Sequence, residues 1–245
     1  MTNPPPEFAS RFRALVEVIL IAWVGKHLVT RGIHVSLVDV EFFGWLFAGQ
    51  REILASAVLR SMTVYVVLLG SLAFLFRNKV VRDLLANLWA SAERPGWYFA
   101  AITAGFQTAT ILAFFVRDLS AVWEPSWFNL YMSVAMATSG GFGEELLFRG
   151  YVIMRLRAGG VSTTSQIIVS GALFSIAHMS WSTVAAQTGS GLLQIAAPLL
   201  GTFVLGMLFA RAFQLSGYRP LPVIAAHAAI NLVIEPALVL SYFGN

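Results

Sequence analysis

The 245-residue sequence has no cysteine and little charge. Without cysteine there is no disulfide framework, no thiol nucleophile and no thiolate metal site. Charged residues make up 11% of the chain, against about 25% in an ordinary soluble domain. There is no block of basic residues either. The net charge of +4 comes from 16 Lys and Arg against 12 Asp and Glu, scattered among apolar segments, which excludes a nucleic-acid partner. No fixed-period repeat, low-complexity tract or soluble domain is present. The start, "MTNPPPEFASRFR", is proline-rich, then basic, and runs straight into apolar sequence. It lacks a small-residue cleavage site, which argues against a removable signal peptide.

Apolar sequence takes the place of charge. Hydrophobic residues are 58% of the chain and mean hydropathy is +0.74. Trp97 to Val116 and Leu192 to Ala210 carry no formal charge, and each is long enough to cross a bilayer core. A soluble core cannot absorb this much apolar surface. The chain is therefore expected to be all-α: a polytopic transmembrane helical bundle of about seven spans, one integral membrane domain over residues 1–245, with the lipid bilayer as its surround. The expected spans are 12–30, 53–76, 97–116, 127–155, 166–183, 191–213 and 221–243. The fourth exceeds what a crossing needs, and Gly140, Gly141 and Gly143 within it mark a kink or a close helix contact. Residues 35–47, "VSLVDVEFFGWLF", carry a weak interfacial-helix signal.

Orientation follows from lysine and arginine. Arg11, Arg13, Arg77, Lys79, Arg82, Arg94, Arg155, Arg157, Arg211 and Arg219 all fall on one side if the spans alternate. The other side keeps Lys26, Arg31, Arg51 and Arg117, diluted by Asp39, Glu41, Glu52, Asp118 and Glu124. The N-terminus is thus expected inside and the C-terminus outside. A compact chain without a retrieval signal fits a prokaryotic cytoplasmic membrane.

A charge at bilayer depth costs about 2.5–3.5 kcal/mol on insertion scales, so each one needs a reason. Glu17 and Arg60 lie near span ends, where a long side chain snorkels to the headgroups, and they point to opposite membrane faces. His27 and His34 read as surface residues. Glu144, Glu145, Arg149, His178, His227, Asn231 and Glu235 are different, because they fall deep in spans four, five and seven. Glu145 and Arg149 stand four residues apart and share a helical face, so they neutralise one another. Glu144 is about 100° further round the helix and has no such partner. With straight helices starting at one level, Glu144 and His178 both lie roughly 17 Å deep and His227 only roughly 9 Å.

Each polar residue has a plain structural reading. A lone helical histidine is usually a packing residue, and a membrane asparagine often just bonds a neighbouring helix. Together, a carboxylate, two imidazoles and an amide are the groups needed to activate water and hold an oxyanion.

These residues also form an ordered set of motifs. "EELLFR" (Glu144 to Arg149) fits EExxxR, "FSIAH" (Phe174 to His178) fits FxxxH, and "HAAIN" (His227 to Asn231) fits HxxxN. In that order on consecutive apolar segments, they resemble the CAAX protease and bacteriocin-processing family of intramembrane proteases. Its eukaryotic relative is the type II CAAX prenyl endopeptidase. The resemblance covers residues 126–245 and implies an intramembrane endopeptidase open to the cytoplasmic side. It implies that Glu144 and His178 activate the attacking water and that His227 and Asn231 hold the oxyanion. Glu145, Arg149 and Phe174 are supporting motif residues, and Glu235 falls outside the pattern. The implied substrate is a membrane-associated peptide or protein, prenylated or amphipathic.

The chemistry leaves alternatives. No serine–histidine dyad is evident, so water is the favoured nucleophile, with Ser139 and Ser175 as weaker alternatives. His178, His227 and Glu144 are the ligands if zinc is used. Asn231 is a poor zinc ligand but a good donor, which tilts the balance to a metal-free mechanism with no cofactor. A proton- or ion-coupled transporter also buries Glu and His, although no transporter-like repeat is seen. A non-catalytic membrane scaffold or bacteriocin-immunity protein is the third class.

Overall fold

The computed structural model describes residues 6–30, 50–114, 126–178 and 192–243. Residues 35–47, His34 and the side chains of Arg60 and Glu235 lie outside the described residues. Among the described residues the chain is helical throughout, with no strand. Helix α1 (Pro6–Ile19) runs on through a π-helical turn, Leu20–Gly25. Helix α2 (Gln50–Gly70) ends in a second π turn, Ser71–Leu75. Then come α3 (Lys79–Ala86) and α4 (Arg94–Phe114). Helix α5 (Trp127–Met136) continues through two wider π-helical stretches, Ala137–Glu144 and Leu146–Ile153, into α6 (Met154–Ala158). Helices α7 (Thr163–Ala177), α8 (Leu192–Leu215) and α9 (Leu221–Phe243) complete the set.

Within the described residues, each expected span falls on a helix. Yet among the described residues no single helix is long and apolar enough to cross a membrane. One pair passes that test together: residues 61–75 and α3, bent by 110°. The bend is local chemistry. Arg77 takes a left-handed φ of 49°, and the Asn78 side chain then accepts a hydrogen bond from the Val81 amide to start α3. Sequence reading left residues 77–94 as a basic loop. Eight residues are too few to register as a span, but Val81 and Leu84 are buried and anchor them.

The long helix over residues 127–158 is the axis of the fold. Helices α2 and α9 pack on its first half, while the π turn after α1, α3 and α7 pack on its second. Helices α4 and α8 close the outer side against α9 and α7. The core is apolar, with a charged pair inside it and large apolar side chains also on the surface. Glu145 and Arg149 are fully buried, whereas Phe74, Leu75, Phe76, Ile102, Phe106 and Trp127 are exposed around the perimeter.

Candidate functional site

The site begins with helix geometry. Around Glu144 the axis helix is π-helical, a form that recurs at functional sites and turns more slowly per residue than an α-helix. Glu145 joins the two π stretches. The adjacent carboxylates diverge into different surroundings.

Glu145 points into the core. Its Oε1 lies 2.9 Å from Arg149 Nη1 and 2.7 Å from His227 Nδ1. Arg149 also donates to the Gly206 carbonyl at 3.3 Å, and its guanidinium lies 4.2 Å from the centre of the Phe174 ring. Pairing with Arg149 is what helical spacing leads one to expect. The bond to His227 is not, because it joins residues 82 positions apart in sequence.

Glu144 points to a more open side, with its side chain 13% exposed. Its Oε1 accepts from the Tyr65 hydroxyl at 3.0 Å. Its Oε2 lies 3.6 Å from His178 Nε2, too long for a direct hydrogen bond. His178 caps the end of α7 rather than standing mid-helix, and its Nδ1 lies 2.8 Å from the Phe174 carbonyl. A carbonyl only accepts, so Nδ1 carries the proton and Nε2 is the nitrogen turned to Glu144. The Phe174 ring lies 4.4 Å from the His178 ring and 6.0 Å from the His227 ring. It fills the space between the histidines and Arg149.

His227 and Asn231 reach the axis helix from α9. Asn231 donates from Nδ2 to the Met136 carbonyl at 3.0 Å. Gly140 is what allows this approach. A Cβ there would run into Asn231 Nδ2 and stand 3.2 Å from His227 Nε2. Two nitrogens therefore converge on the notch that the missing side chain leaves.

The depths inferred from straight helices do not hold, since His227 meets Glu145 directly. Straight helices starting at one level would not bring these two side chains together. Glu17 does not simply snorkel either. Its carboxylate accepts from Tyr151 Oη and Arg155 Nε, both at 2.9 Å, tying α1 to the end of the axis helix. Ser139 bonds Ser61 at 3.2 Å and Ser175 bonds the Leu199 carbonyl at 2.7 Å.

Two residues near Glu144 escaped sequence reading. Tyr65 carried no signal, because a tyrosine in an apolar helix is ordinary. Lys26 was counted among outer-side charges, yet its Nζ lies 5.2 Å from the centre of the Tyr65 ring and 6.0 Å from that of Phe148. A lysine inside an expected span was the overlooked signal.

The zinc alternative can be tested on the side chains. Among the described residues, no group of three His, Asp or Glu side chains comes together as a metal could require.

No curated protein and no solved structure matches the chain. A family does. Residues 125–233 match the family described as type II CAAX prenyl endopeptidase Rce1-like, a stretch that runs from the start of α5 to just past Asn231. Glu144, Glu145, Arg149, Phe174, His178, His227 and Asn231 all fall inside it. Over that stretch, a little under half of its length, the chain is similar to the type II CAAX prenyl endopeptidase Rce1-like family.

Proposed function

We propose that the protein is an intramembrane endopeptidase in which water, held between Glu144 and His178, attacks a peptide carbonyl. The observation that carries this reading is the pair itself: a carboxylate oxygen and an imidazole nitrogen 3.6 Å apart. Both atoms can reach one water that sits to the side of the line between them. Glu144 takes the water's proton as it attacks, and the same proton is then delivered to the leaving amine. No metal is needed for these steps.

The tetrahedral oxyanion sits in the notch over Gly140. Asn231 uses one amide hydrogen on Met136 and has its second to donate. His227 donates from Nε2 when its ring is protonated, with Nδ1–H directed to Glu145. The substrate is a membrane-associated peptide or protein, and the prenylated or amphipathic class fits the surround.

The exposed large apolar side chains suit a lipid setting, in which the apolar runs of the sequence would make about seven crossings. Orientation rests on the lysine and arginine bias of the sequence, and two of those basic helix ends make contacts. Arg155 pairs with Glu17 at 2.8 Å, and the Arg157 guanidinium lies 3.8 Å from the Tyr218 ring centre. The N-terminus then faces the cytoplasm and residue 245 the opposite side. A reporter fused after Asn245 should be active only on the non-cytoplasmic side; cytoplasmic activity would refute the seven-span reading.

The function is tested on purified protein with quenched-fluorescence peptides. Wild type should cleave a subset of them. Asn231→Ala should lower kcat by about 10²–10³-fold with little change in KM, because an oxyanion donor acts mainly in the transition state. Normal kcat with a raised KM would remove Asn231 from that role. A wild type inert on every peptide would favour a transporter or scaffold.

A further inference from the structure

The family-matched stretch begins at residue 125, yet one contact to Glu144 comes from well ahead of it. Tyr65, on α2, is 1% exposed and donates its hydroxyl to Glu144 Oε1 at 3.0 Å, across 79 residues of sequence. The ring is seated by its neighbours. A Cβ on Gly143 would stand 2.6 Å from Tyr65 Cδ2, so the glycine just before Glu144 is the space the ring occupies. On another side the Lys26 ammonium lies over the ring at 5.2 Å. A bare hydrogen bond in an apolar helix can be incidental. This one is backed by a glycine that admits the ring and a cation that covers it.

We infer that Tyr65 is a positioning residue for Glu144. By binding Oε1 it fixes the rotation of the carboxylate and leaves Oε2 turned to His178. A carboxylate free to rotate would present either oxygen and lose the alignment that a base needs at the moment of attack. Helix α1 contributes through Lys26, and α2 through Tyr65, so the N-terminal helices complete a site whose motif residues all lie in the C-terminal half. The inference rests on the peptidase reading of Glu144.

The test uses the full chain in detergent. Tyr65→Phe keeps the ring and its packing and removes only the hydroxyl. It should lower kcat about ten- to a hundredfold, the scale of a hydrogen bond to a charged group, with KM and melting temperature nearly unchanged. Gly143→Ala, which pushes the ring away, should lower kcat as well, with a lower melting temperature because the added Cβ would stand 2.8 Å from Tyr65 Cβ. Infrared difference spectra supply a readout that does not need activity. Tyr65→Phe should shift a carboxylate band, and that shift should vanish in a Glu144→Ala background. An active wild type with unchanged kcat in Tyr65→Phe overturns the inference, and so does a carboxylate band indifferent to Tyr65. If wild type cleaves nothing, the peptidase reading fails, and the band still decides whether Tyr65 holds Glu144.

Discussion

Glu144→Gln is expected to give a folded, monodisperse protein whose peptide turnover falls by about 10²–10⁴-fold, the usual contribution of a positioned base. The amide matches the carboxylate in shape and keeps an oxygen to accept from Tyr65, so packing around the side chain is preserved. It cannot take a proton from water. Glu144 is partly exposed, its direct contact is a neutral hydroxyl, and the nearby Lys26 is only half-buried, so losing its charge leaves no fully buried cation without a partner. The melting temperature should therefore stay close to that of wild type. KM should also hold, since the lost group acts on water and not on the bound peptide. Full activity in a stable Glu144→Gln protein would move the base elsewhere, with Glu145 the first residue to reconsider.

The contrast with Glu145 shows what the sequence could and could not convey. Helical spacing joins Glu145 to Arg149, and that pair is in contact. The same spacing says nothing about His227, because α9 meets the axis helix only through tertiary packing. Depth fails for a related reason: counting residues assumes straight helices that start on one plane, and the contact of His227 with Glu145 breaks that assumption. The helices themselves were legible, since each long apolar run became one. The widening of the axis helix around Glu144 was not, as π turns have no simple composition. Glycines were read as kinks or close contacts, and Gly140 and Gly143 turn out to be places where Asn231 and Tyr65 approach. Lys26 and Tyr65 were missed because a residue's use in a site depends on which helix it faces, and a single sequence does not state helix neighbours.

Glu145→Gln should behave in the opposite way to Glu144→Gln: a marked loss of stability, with activity reduced but measurable. Glu145 and Arg149 are both fully buried, and one oxygen, Oε1, receives both Arg149 and His227. The amide oxygen of glutamine can stay in that place and accept from both donors, so the geometry survives. The charge does not. Arg149 keeps its positive charge in the core, where the groups in contact with it are now all neutral: the new amide oxygen, the Gly206 carbonyl and the Phe174 and Phe209 ring faces. Breaking a buried pair by removing one partner typically costs about 3–5 kcal/mol. For a chain of this length that corresponds to a melting temperature lower by about 6–20 °C. Adding Arg149→Met to Glu145→Gln removes the stranded cation and should restore much of the loss, because a neutral, well-packed replacement of a buried pair is often tolerated. Activity falls as well, since a neutral amide no longer balances the protonated ring that His227 needs to donate over Gly140. Turnover should respond to this only in part, as Asn231 remains in place. Melting temperatures and kcat for wild type, both single variants and the double variant decide the matter. If Glu145→Gln melts with wild type and is fully inactive, while Glu144→Gln remains active, the two glutamates have exchanged roles.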